Sequence, residues 1–95
     1  MNKYESIIIV NPNITADGIK ELIEYIKKLI KDNNGNIIQI EDLGRKRLAY
    51  EIKKNKEGYY IRFEFEVNPV IISELERIYR IKDEIMKFIT VRIDD

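Results

Sequence analysis

The sequence predicts an α+β fold of the split β-α-β type, with elements in the order β-α-β-β-α-β. Three observations predict it. Residues 59–67 alternate apolar and polar side chains without a break, as a half-buried strand does. Residues 19–30 and 72–79 carry apolar side chains at spacings of three and four, as amphipathic helices do. Three further β-rich stretches flank these helices, and right-handed crossovers then place both helices on one face of a four-stranded antiparallel sheet.

Each element has its own signals. Lys3 to Val10 is short and β-branched, and the turn formers Asn11-Pro12-Asn13 follow it. Thr15 suits a helix N-cap, with Asp17 in the first turn. Ile19, Leu22, Ile23, Ile26, Leu29 and Ile30 form the apolar stripe, and Asn33-Asn34-Gly35 ends the helix, because Asn and Gly accept the left-handed conformation. Asn36 to about Lys53 reads as a long second strand. Ile38, Ile40, Leu48, Tyr50 and Ile52 share one parity there, and the polar middle predicts a bend off the core with a bulge at Gly44. Lys53 to Gly58 reads as a polar turn. In the third strand Tyr59, Ile61, Phe63, Phe65 and Val67 point to the core, and Tyr60, Arg62, Glu64 and Glu66 point away. Asn68-Pro69 opens the second helix, whose stripe is Ile72, Leu75, Ile78 and Tyr79. Lys82-Asp83 is a turn, and Ile85 to Ile93 is the last strand. The expected architecture is a ferredoxin-like domain spanning 1–95, with one sheet face left open.

Composition narrows the function. The chain has 95 residues, 44% hydrophobic and 36% charged, enough for one compact globular domain. Its longest apolar run, Ile7 to Val10, is far shorter than the roughly 20 residues of a membrane helix. The N-terminus lacks the apolar core of a signal peptide. There is no cysteine and no histidine, which removes disulfides, thiolate metal sites and the commonest general base. These features predict a cytoplasmic protein without catalytic residues, cofactor or metal. Ser6 and Ser73 have no base motif around them. An acylphosphatase would need an arginine in the loop after the first strand, where Asn11-Pro12-Asn13-Ile14 stands instead. Glu41-Asp42 and Asp94-Asp95 do not supply the converging oxygens of a Ca²⁺ site. An RNA-recognition motif would put aromatics on the open face, whereas Phe63 and Phe65 face the core and Glu64 and Glu66 face out.

Lys plus Arg and Asp plus Glu are 17 each, so the net charge is zero and any contact with nucleic acid must be local. Arg45-Lys46-Arg47 is the strongest local cluster. A hairpin pairing Tyr50 with Ile61 would set Arg47 against Glu64 and Arg45 against Glu66, a purely structural use of the same residues. Lys53, Lys54 and Lys56 read as a charged turn that also protects a strand edge. The first strand is apolar on both faces. Two helices on one side cover either Ser6, Ile8 and Val10 or Ile7 and Ile9, and the uncovered set forms a patch of the kind that meets a partner.

Gly44-Arg45-Lys46-Arg47-Leu48-Ala49-Tyr50-Glu51-Ile52-Lys53 resembles the signature of the sixth ribosomal protein of the bacterial small subunit. Tyr4-Glu5, Asn11-Pro12-Asn13, Gly58-Tyr59-Tyr60 and Arg80-Ile81-Lys82-Asp83 extend the resemblance over essentially the whole chain. It implies a structural protein that binds the central domain of small-subunit ribosomal RNA. It also implies a small basic ribosomal protein, the eighteenth, as co-binding partner, which would supply the positive charge this chain lacks. The sequence ends at Asp95 without the longer tail of many relatives, so the resemblance does not carry over any partner contact made by that tail. On this reading Lys3, Arg45, Lys46, Arg47, Arg80, Lys82, Lys87 and Arg92 are candidate phosphate contacts. Tyr50 is a candidate stacking or support residue, and Ile7, Ile9 and Tyr60 are candidate partner contacts. The rival reading is a small-ligand regulatory module that dimerises through the open sheet face. It would want a glycine-rich ligand loop, and the chain has four glycines, none clustered.

Overall fold

The computed structural model describes residues 1–93; Asp94-Asp95 lie outside the described residues. The elements are β1 (Asn2–Val10), α1 (Ala16–Asp32), β2 (Asn36–Ile52), β3 (Asn55–Val67), α2 (Val70–Ile81) and β4 (Ile85–Ile93). They form a four-stranded sheet in the order β2-β3-β1-β4, and every adjacent pair is antiparallel. This is the arrangement the sequence predicts.

The helices begin and end where local chemistry dictates. The Thr15 hydroxyl accepts the Gly18 N–H at 3.0 Å and caps α1. Beyond its C-terminus Asn34 takes φ +62, and the Gly35 N–H closes on the Ile30 carbonyl at 2.8 Å. Ahead of α2 the Asn68 side chain accepts the Val70 N–H at 3.1 Å, next to Pro69.

Ile19, Leu22, Ile26 and Ile30 of α1 and Leu75 and Tyr79 of α2 pack on Ile8, Val10, Ile61, Phe63, Phe65 and Val67 of the central strands. Burying large side chains on one side of β1 and β3 supplies most of the driving force for folding. Ser6 sits fully buried in this layer and shares a 2.7 Å hydrogen bond with the Thr90 hydroxyl of β4, so its polar group is satisfied.

The long second strand departs from its expected parity. Its register against β3 shifts at Ile37/Gln39, again at Asp42/Gly44 and a third time between Arg47 and Ile52. Ile38 and Leu43 are the extra residues at the first two shifts, and both are exposed. Each of these two bulges adds one residue and so swaps the faces of everything after it. Ile37 and Ile40 reach the core, but Ile38 does not. Leu48, Tyr50 and Ile52, expected on the core side, lie on the open side instead, beside Ile9, Tyr60 and Lys87. The expected bulge at Gly44 is present, with Gly44 at φ +76. The Asp42 carboxylate fixes it by accepting the Gly44 N–H at 3.1 Å and the Tyr59 hydroxyl at 2.6 Å. That hydrogen bond also pushes the Tyr59 hydroxyl above its ordinary pKa.

The turn is tighter than expected. Ile52 pairs with Asn55, so the turn is Lys53-Lys54 alone and β3 starts at Asn55. Register then sets Arg45 opposite Tyr59 and Arg47 opposite Glu57. The expected facings of Tyr50 with Ile61, Arg47 with Glu64 and Arg45 with Glu66 are therefore not formed. Extending β3 backwards by four residues moved the hairpin register past them.

Candidate nucleic-acid and partner interface

The pairing of β1 with β3 ends at Val10 and Tyr59. Beyond that point β2 and β3 continue alone as a two-stranded arm. Such a ribbon is marginal by itself, and here the sheet braces it. Leu48 is buried outside the main core, on the open side, and a side chain at Gly58 would meet both Leu48 and Ile9. The Asn55 amide lies 3.3 Å from the Met86 sulfur of β4. The Lys87 ammonium, also on β4, donates to the Tyr50 hydroxyl at 2.6 Å and sits 5.2 Å from that ring's centre. A recess of about 140 Å³ remains beneath the arm, lined by Ile9, Leu48, Tyr50, Tyr60 and Lys87 among others.

The candidate RNA-binding residues fall into separate places. Arg45, Lys46 and Arg47 stand exposed where the arm leaves the sheet, and Tyr50 and Lys87 meet on the open side of the arm. Arg80 and Lys82 lie at the same end of the sheet, where α2 runs into β4, and each rests on an aromatic ring. The Arg80 guanidinium is 5.8 Å from the Phe88 centroid, and the Lys82 ammonium is 4.2 Å from that of Tyr25. Lys3 and Arg92 are at the far end of β1 and β4; Arg92 also reaches the Asn2 side chain at 3.4 Å. The nine residues do not form one patch. Tyr50 and Lys87 do come together on the open side, whereas Arg45 and Arg47, opposite Tyr59 and Glu57, project from the other face of the arm.

The candidate partner residues do converge. Ile7 pairs with Ile89, and Ile9 pairs with both Tyr60 and Lys87, all on the face away from the helices. Ile89 and Val91 are 57% and 43% exposed and extend the apolar strip along β4. Sequence reasoning passed over these two, although the odd positions Lys87, Ile89, Val91 and Ile93 alternate out of the core stripe of the same strand.

The other half of the open face is ionic, and its centre was also missed. Arg62 donates to Glu5 at 2.6 Å, to Glu41 at 2.9 Å and to Glu64 at 2.9 Å, tying β1, β2 and β3 together. Glu64 and Glu5 hold the guanidinium still further above its ordinary pKa. One cation among three carboxylates leaves this half of the face acidic. The Arg62 side chain is only 19% exposed, so Arg62→Met strands three carboxylates that lose most of their compensation. That change is expected to cost about 2 kcal/mol in urea unfolding, with the deficit shrinking as salt is added. An unchanged midpoint would show the cluster to be energetically idle.

A family profile described as Ribosomal protein S6 matches residues 3–92. The chain belongs to the ribosomal protein S6 family. Small ribosomal subunit protein bS6 of Caldanaerobacter subterraneus is 38% identical over all of both chains. The bS6 protein of Helicobacter acinonychis is 43% identical over 99% of this chain, which spans 66% of that relative's length. The crystal structure of 30S ribosomal protein S6 from Thermotoga maritima superposes with a TM-score of 0.91 at 36% identity, covering 97% of this chain and 87% of that one. Membership of the S6 family makes the chain a structural, non-enzymatic protein of the small ribosomal subunit, ribosome-associated in the bacterial cytoplasm. It sets aside the reading as a small-ligand regulatory module.

Proposed function

We propose that the chain, acting as one domain over 1–95, binds the central domain of small-subunit ribosomal RNA jointly with a small basic ribosomal protein, the eighteenth of the subunit. One observation carries this reading: the division of charge over the fold. Residues 45–57 hold six cations, Arg45, Lys46, Arg47, Lys53, Lys54 and Lys56, against Glu51 and Glu57. The remainder holds eleven of the seventeen basic residues and fifteen of the seventeen acidic ones, a net charge of −4. The arm suits phosphate. The open face, apolar around Ile7, Ile9, Ile89 and Val91 and acidic around Arg62, suits a basic protein with an apolar centre. Arg45, Lys46, Arg47, Tyr50 and Lys87 are then the RNA contacts of the arm. Lys3, Arg80, Lys82 and Arg92 make peripheral ones, and Ile7, Ile9 and Tyr60 make the partner contacts. Such phosphate contacts position the protein without reading sequence.

A filter-binding titration tests this. With zero net charge the isolated chain releases few counterions and is expected to bind the RNA weakly. Adding the basic partner at the same salt should strengthen binding by about a hundredfold, the scale of two to three added phosphate contacts. Equal affinity with and without the partner would reject joint recognition.

A further inference from the structure

The turn at the end of the arm is chemically costly for the residues that form it. Ile52 pairs with Asn55, which leaves a two-residue hairpin turn. Its two residues, Lys53 and Lys54, have φ of +48 and +66. Both central positions in the left-handed region is the pattern of the type I′ turn, in which Asn-Gly is favoured because those residues take that region cheaply. Two lysines do not: each Cβ is crowded against its own backbone there. The Asn55 amide supports the turn through the Lys53 carbonyl at 3.1 Å. Neither ammonium is used inside the fold. Lys53 and Lys54 are exposed and form no ion pair among the described residues. The arm that carries them is seated on the sheet through Leu48, Asn55 and Tyr50, so its tip is held in place.

We infer that Lys53 and Lys54 form a phosphate-binding tip that grips the RNA backbone, a second contact point beyond Arg45, Lys46 and Arg47. The inference rests on the RNA-binding reading above and deepens it. A type I′ turn directs its two successive side chains outward from the end of the ribbon. Two ammonium groups at that point can straddle adjacent phosphates without reading bases. Strain kept at an exposed turn that a cheaper pair of residues would relieve is the mark of a position held for binding.

The test uses the full chain with its basic partner and the central-domain RNA. In Lys53→Asn with Lys54→Gly the turn becomes the favoured one, so the urea midpoint should rise. RNA affinity should fall by about tenfold or more at 0.1 M salt, with the salt slope reduced by about two. Lys53→Arg with Lys54→Arg keeps both charges and should keep the affinity. Parent and variant binding equally, with equal salt slopes, would overturn the tip while leaving the RNA-binding reading intact. A parent complex with no RNA affinity above that for an unrelated RNA would overturn the reading itself. If the Asn-Gly variant instead loses the basic partner in sedimentation without RNA, the tip contacts protein and the inference fails.

Discussion

Gly58→Val is expected to destabilise the chain by about 3 kcal/mol, at the upper end of overpacking costs. A Cβ at Gly58 would meet the Ile9 Cγ2 atom and approach Leu48 and Met86 at 3.3 and 3.4 Å. Ile9 is β-branched and stiff, and it sits in a central strand paired on both sides, so it cannot move aside. The strain must go to the arm, where β2 and β3 pair with no third strand. Leu48 would lift from its seat, and the bond from Lys87 to Tyr50 would break. Two observables follow. The urea midpoint falls, and amide exchange quickens in residues 46–58 ahead of the core strands. A midpoint lowered with uniform exchange would mean that the clash is absorbed throughout the sheet. An unchanged midpoint would mean that the close approach at Gly58 has no energetic consequence.

The same packing explains what the sequence made legible and what it did not. The helices could be read because their apolar spacing and caps are local, and Thr15 and Asn68 act where the sequence places them. The third strand could be read because the bulges fall on its partner β2, so from Tyr59 to Val67 its own alternation passes directly into burial. The second strand could not be followed past Ile37. Parity counting assumes no inserted residue, and residues are inserted at Ile38, at Leu43 and again between Arg47 and Ile52. Gly44 hinted at the second bulge, but nothing local marks Ile38. Leu48 was therefore assigned to the wrong face, although its burial was foreseen. The Lys53-Lys54 turn was blurred across six residues because it lacks the glycine and asparagine that mark tight hairpins. The Arg62 cluster depends on the registers of three strands at once, so the sequence gives its members but not their meeting. The resemblance of residues 44–53 falls on β2 where it enters the arm. It could not say that its arginines stand clear of Glu64 and Glu66.

That last point sharpens the expected behaviour of Arg45→Gln with Arg47→Gln. Had these arginines faced Glu64 and Glu66, removing both would have cost stability. The register places Arg45 opposite Tyr59, and Arg47 opposite Glu57, and neither arginine forms an ion pair among the described residues. Glu64 is held by Arg62 instead. The double change should therefore move unfolding by no more than about 0.5 kcal/mol, the range of exposed surface substitutions. Its effect should appear in the RNA complex. Two lost phosphate contacts flatten the salt dependence by about two units and lower affinity by about tenfold or more at 0.1 M salt, equally for all sequence variants of the RNA. Combined with the Asn-Gly turn variant, the losses in salt slope should add, because Arg45 and Arg47 at the base of the arm and Lys53 and Lys54 at its tip would contact different phosphates. A lowered unfolding midpoint with an unchanged salt slope would reverse the assignment and make the cluster a support of the hairpin. A slope that falls by only one unit would assign a single arginine, and Arg45→Gln and Arg47→Gln tested separately would show which.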